Sequence, residues 1–149
     1  TLGTGLGFAY AIDGEVKESE SGSPAAGLWD APYNGGILEE YVSRRGIIRL
    51  YMEQGGTLAE GEDVKEISDR ARNGEEKALK AFSEAGRHFA EGASQLIASL
   101  GIRHIIFGGQ ISRSFDLMEE SVRKGLPENV EVRMSGNIEG LVLIGASSL

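Results

Sequence analysis

The sequence has no cysteine, only three prolines and one tryptophan, and too few positive charges to balance its acids. Without cysteine there is no disulfide, no thiolate metal ligand and no thiol nucleophile, which agrees with a reducing compartment. Three prolines in 149 residues are too few for a Pro-rich linker. Fifteen Lys and Arg face 23 Asp and Glu, a net charge of −8. That balance speaks against sequence-independent binding to nucleic acid or an anionic membrane, since both need excess cation. No apolar run is long enough to span a bilayer and the first residues do not read as a secretory leader, so a cytoplasmic protein is expected. Glycine is abundant, at 22 residues against 40% hydrophobic ones. The balance is that of one globular domain over residues 1–149, with a real core.

The glycines are concentrated where chemistry would need them. Thr1-Leu2-Gly3-Thr4-Gly5-Leu6-Gly7 leads into Phe8, Tyr10 and Ile12 at period 2, which reads as a strand, a tight glycine turn and a second strand. Glycines at 3, 5 and 7 remove side chains where a backbone approaches something closely. Exposed amides in such a turn form a concave anion site, to which the Thr4 hydroxyl adds a donor. A hairpin whose glycines serve only the turn is the alternative reading.

Further along, residues 15–20 alternate again and Ser21-Gly22-Ser23-Pro24 is turn chemistry, so the chain opens as a β-meander. A loop carrying Trp29 and Tyr33 follows. Helical spacing predicts a helix over 37–53, broken near Gly46, and another over 61–72 ended by Asn73-Gly74. A long helix over 75–100 carries an apolar stripe of Leu79, Phe82, Phe89, Ala93, Leu96, Ile97 and Leu100. Its small residues Ala78, Ala85, Gly86, Ala90 and Gly92 make it the candidate homodimer surface. The run 102–107 reads as a strand buried on both faces, and Gly108-Gly109-Gln110 follows it at once. A strand feeding a glycine turn is a ligand-binding geometry in α/β proteins. A helix over 113–124, a strand over 130–134 and a helix within 138–149 complete the expectation.

Thr1 to Gly7 resembles the second phosphate loop of the actin-like ATPase superfamily, and Ile105-Ile106-Phe107-Gly108-Gly109-Gln110-Ile111-Ser112 resembles its adenosine-binding strand and turn. The order of pieces, including Ser23-Pro24-Ala25-Ala26-Gly27, Gly36-Ile37-Leu38-Glu39-Glu40-Tyr41-Val42-Ser43 and Leu143-Ile144-Gly145-Ala146, is similar to the C-terminal half of ROK-family sugar kinases and sugar-responsive repressors. The resemblance implies an α/β fold of ribonuclease-H-like, actin-type ATPase class, with a mixed sheet opened by the meander and flanked by helices. It implies that Gly3, Thr4, Gly5 and Gly7 hold the phosphates of ATP with Mg2+. Gly108, Gly109 and Gln110 would lie along adenosine, and Glu39 would accept hydroxyls of the sugar substrate. A solvated charge on a helix face is the other reading of Glu39.

The departures from that pattern are equally informative. The family's Gly-Glu-x-Gly-His segment falls on Leu28 and Ala31, losing a sugar-binding Glu and a His. Its zinc-binding cysteines are replaced by Ala31-Pro32-Tyr33-Asn34-Gly35, so no structural zinc is expected, and His88 and His104 read as surface or core-edge residues. The chain starts within a strand pattern and looks like a fragment, with the catalytic Asp and first phosphate loop expected on an N-terminal domain. Three readings stand in order. The first is the ATP-binding half of a sugar kinase, inactive alone. The second is the sugar-sensing domain of a repressor, whose DNA contact lies outside this acidic domain. The third is an assembly module.

Overall fold

The computed structural model describes residues 1–135; the helix expected within 138–149 and the Leu143-Ile144-Gly145-Ala146 segment lie outside the described residues. Two short hairpins come first, β1 (Ala11–Ile12) with β2 (Glu15–Val16) and β3 (Pro32–Tyr33) with β4 (Gly36–Ile37). Both turn on residues with positive φ, Asp13-Gly14 and Asn34-Gly35. That backbone matches the twist of the flanking strands, and Asn or Asp before Gly adopts it cheaply. Helices α1 (Glu39–Val42), α2 (Arg44–Glu53), α3 (Val64–Arg72) and α4 (Glu76–Ser99) follow. Then come β5 (His104–Phe107), a 3-10 segment (Ile111–Leu117), α5 (Glu119–Gly125) and β6 (Glu131–Met134).

The long helix α4 organises the core. Ala78, Ala81, Phe82, Ala85, Phe89, Ala90, Ala93 and Ile97 form its buried face, and burying a large apolar side chain contributes roughly 1.5–3 kcal/mol. Leu79, expected in that stripe, is exposed, because its position rotates away from the Ala78, Phe82 and Ala85 face. The small residues admit neighbours of the same chain. A methyl at Gly86 would stand 2.7 Å from the Met118 carbonyl, one at Gly125 2.6 Å from Ala90 Cβ, and one at Gly92 2.5 Å from Leu38. Close packing of α5 and the segment around Leu38 thus uses the surface that suggested a homodimer, and that reason for a dimer falls away.

The helix expected over 37–53 is two helices, and the break lies at Ser43, whose backbone is extended. Gly46 sits inside α2, where a Cβ would meet the Tyr41 carbonyl carbon at 2.5 Å. Glycine here permits α1 and α2 to cross closely and does not interrupt the helix. The helix expected over 113–124 is likewise divided into the 3-10 segment and α5.

A single mixed sheet is not formed among the described residues. The strands make three separate two-stranded ladders, of which β5 with β6 is parallel. The meander is reduced to the β1–β2 hairpin and isolated bridges at Leu2 with Leu6 and Glu18 with Pro24. A cleft of about 580 Å3, lined by Phe8 to Asp13 on one side and Ile102 to Phe107 on the other, separates the first hairpin from β5. Consequently β5 is not buried on both faces as expected: Ile106 is 67% exposed. Phe107 faces inward, edge-on to Phe89 at 4.9 Å and tilted on Phe115 at 4.6 Å.

Candidate functional site

Residues 1–7 close into a tight loop. The Gly7 amide donates to the Thr1 carbonyl (2.9 Å) and the Gly3 amide to the Gly5 carbonyl (3.0 Å). Leu2 and Leu6 anchor it in the core, while Thr4 is exposed at its tip. The Thr4 and Gly5 amides take no acceptor among the described residues. This is the donor-rich concavity that suits an anion.

The second glycine turn is fastened to the first. Leu2 donates its amide to the Gly108 carbonyl (2.7 Å), and its carbonyl accepts from the Ile111 amide (3.1 Å). Gly109 has φ +94° and a Cβ there would collide with the Leu2 backbone, so only glycine fits. The buried Ser112 hydroxyl donates to the Gly109 carbonyl at 2.6 Å and locks the turn. Gly3, Thr4 and Gln110, with residues of α3 and the 3-10 segment, line one cleft of about 540 Å3. Gly3 to Gly7, Gly109 and Glu39 line an adjoining hollow of about 340 Å3. Gly3, Thr4, Gly5, Gly7, Gly108, Gly109 and Gln110 are therefore brought together. Glu39 joins them.

Glu39 is half-buried, not a solvated helix-face charge. Its Oε2 accepts from the Leu6 amide at 3.0 Å and its Oε1 from Arg45 Nη2 at 3.3 Å. The Arg44 amide donates to the Gly3 carbonyl at 2.9 Å, so the break between α1 and α2 grips the loop as well. Leu28 is 1% exposed and belongs to the core. An ionised side chain at that position would be costly to bury. Trp29 is 51% exposed, and its carbonyl accepts from the Glu39 amide (3.2 Å), while that of Ala31 accepts from the Leu38 amide (2.9 Å).

The Ala31-Pro32-Tyr33-Asn34-Gly35 segment forms most of the β3–β4 hairpin, which is tied to α4. The Tyr33 hydroxyl donates to Glu91 Oε2 (2.6 Å) and lies 2.8 Å from His88 Nδ1. Tyr41 packs on both rings, and Arg49 stacks over Tyr41 at 4.5 Å. Burial and the Glu91 carboxylate push the Tyr33 phenol up to about 12. Burial, and then Arg87, hold the His88 imidazole below its ordinary value. His88 is 6% exposed, a core residue instead of an edge one, whereas His104 is on the surface. Among the described residues no group of three or more His, Cys, Asp or Glu is arranged to hold a metal ion.

Leu2, Leu6, Arg44 and Ser112 build the site without having been assigned roles from sequence. Leu2 and Arg44 act through backbone atoms and leave no side-chain signal. Ser112, three residues beyond Gly109, is a side-chain-to-backbone turn pattern and was legible in principle.

The ROK family profile, described as "ROK family", matches residues 1–147. A glucokinase from Streptomyces coelicolor is 26% identical over 147 residues, covering 83% of this chain and 46% of that protein. The chain thus spans about half the length of the curated relatives it matches. A ROK family glucokinase from Streptomyces griseus, solved in complex with glucose and AMPPNP, superposes with TM-score 0.82 at 23% identity, over 99% of this chain and 57% of that one. Glucokinase from Parabacteroides distasonis gives 0.73 at 30% identity, over 83% and 36%. The fold is the one seen in the solved ROK family glucokinase from Streptomyces griseus. With the family profile covering nearly the whole chain, this protein belongs to the ROK family.

Proposed function

We propose that the chain is the nucleotide-gripping half of an ATP-dependent sugar kinase, together with part of the sugar site. The observation that carries this reading is Leu2, whose amide and carbonyl both bond the Gly108–Ile111 turn. Through that residue a phosphate-sized glycine loop and a close-approach turn open together on one cleft. The residues present fit the group: Thr4 and Gly5 offer amides and a hydroxyl at the loop tip, and Gly109 leaves backbone where a side chain would obstruct. Bound ATP with Mg2+ supplies the phosphoryl group. Gly3, Thr4, Gly5 and Gly7 hold its phosphates, and Gly108, Gly109 and Gln110 lie along adenosine. Glu39 accepts sugar hydroxyls with the lone pairs that Leu6 and Arg45 leave free, since an ionised carboxylate has about four acceptor sites.

Phosphoryl transfer also needs a group to orient the attacking hydroxyl. In this reading that group lies on an N-terminal domain, so the chain alone binds nucleotide without turning it over, in the cytoplasm. The ribonuclease-H-like sheet belongs to the same reading, supported by the parallel pairing of β5 and β6. MgATP at a hundredfold above Kd should stabilise the chain by about 2.7 kcal/mol. No thermal shift with MgATP, or phosphorylation of any sugar by the chain alone, would overturn the proposal. The burial of Leu28 favours one second reading, a sugar-sensing repressor domain that has lost its chemistry. A DNA-binding helix-turn-helix in the full-length protein distinguishes it.

A further inference from the structure

The cleft between the first hairpin and β5 is bordered by two rows of unused backbone groups. On the β5 side, the Glu131 and Ser135 amides donate to the Arg103 and Phe107 carbonyls at 2.8 and 2.9 Å. Successive residues of a strand bond to opposite sides, so His104 and Ile106 turn their amides and carbonyls into the cleft. On the hairpin side, the Lys17 amide donates to the Tyr10 carbonyl at 3.0 Å, and by the same alternation Ala9 and Ala11 face the cleft. None of these four has a backbone partner across the cleft among the described residues. Leu28, Phe89, Ile97 and Leu100 also line it, which gives it an apolar wall. At the glycine-loop end a single stretch of chain spans the gap. Leu2 bonds Gly108 through its amide and the later Ile111 through its carbonyl, the sense of a parallel pair. On the other flank Thr1 and Gly7 exchange both bonds, at 2.6 and 2.9 Å, as an antiparallel rung does.

We propose that the cleft is a slot for one β-strand, parallel to β5 and antiparallel to residues 8–12, and that its occupant is the stretch of the same polypeptide leading into Thr1 in the full-length protein. The curated relatives are about twice as long as the part this chain spans, which leaves length for such a stretch. The rungs at Thr1 and Leu2 set its register. The second residue before Thr1 falls opposite Ala9, and the first and third fall opposite Phe8 and Tyr10. Those two lie on the face where Leu2, Ile105 and Phe107 pack against the core, so both should be apolar. A strand of about five residues fills the slot. Once filled, it gives His104, Ile106, Ala9 and Ala11 their partners and joins the first hairpin and the β5–β6 ladder into one sheet. Continuity favours this occupant over a second copy, because Thr1 and Leu2 already aim the chain along the slot and little loop-closure entropy is lost. The slot does not depend on nucleotide binding.

Amide hydrogen exchange followed by NMR reads the slot directly. In the 149-residue chain the His104 and Ile106 amides should exchange fast, beside slow Ile105 and Phe107 amides that face β6. In the full-length protein His104 and Ile106 should slow by about tenfold or more, at every protein concentration. A thiol pair checks the register, since the 149 residues contain no cysteine. Tyr10→Cys, with a cysteine at the third residue before Thr1, makes a non-hydrogen-bonded pair with Cβ atoms about 4.5–5.5 Å apart, and it should oxidise to an intramolecular disulfide. Slow His104 and Ile106 amides already in the 149-residue chain, or fast ones in the full-length protein, would overturn the proposal. Protection that grows with concentration assigns the slot to a second copy, and protection without the disulfide assigns it to another segment or register; either result also overturns it.

Discussion

At Gly109 two demands coincide, a positive φ and contact with the Leu2 backbone. Neither yields to a side chain, because the obstructing atoms are main chain. Gly109→Ala should cost at least about 2 kcal/mol, read as a lower urea midpoint with unchanged slope. Glu39 gives a contrasting pair. Glu39→Gln retains an oxygen for the Leu6 amide and loses an ion pair whose Arg45 side is largely exposed. Its stability should stay within about 0.5 kcal/mol of the parent. Glu39→Ala leaves the part-buried Leu6 amide without its carboxylate acceptor and should cost about 1 kcal/mol by the same denaturation measurement.

Among the elements, α3 is the one whose start is written most plainly. The Asp63 carboxylate accepts from the Val64 amide (2.7 Å), and Glu66 reaches back to the Asp63 amide (2.8 Å). Asp63→Ala should cost about 1 kcal/mol. Burial opposes the Asp63 charge, but Arg44 and the Val64 amide outweigh it and hold the carboxyl below its ordinary value. A carboxyl so depressed contributes fully above 3.8 and loses that contribution as the pH falls below it. Asp63→Asn, which still caps, should flatten this part of the acid dependence of the urea midpoint. The divided helix at Ser43 shows the limit of period counting. Apolar spacing continues across 37–53, and the break follows from how α1 and α2 meet at Gly46, a contact that periodicity does not encode.

At the scale of the molecule, β5 pairs only with β6 among the described residues, and its other side is the weak place. Its backbone faces a cleft and Ile106 stands in solvent, and an exposed apolar strand edge is a template for pairing with another chain. Ile106→Lys should reduce association of the chain at high concentration, measured by light scattering, with little change in stability. No helix among the described residues is long and apolar enough to cross a membrane.

Local chemistry in the chain determined the stop of α3, the extent of α4 and the positions of both glycine segments. Each depends on neighbours within a few residues, which is the range over which caps, turns and periodicity act. Tertiary structure alone decided that Leu2 joins those segments, that Glu39 turns to the loop, and that Leu28 and His88 are interior. It also decided that α4 spends its small residues on α5 and Leu38 within the same chain. These outcomes rest on backbone hydrogen bonds and close packing between residues distant in sequence, and such contacts leave no period in the sequence to read.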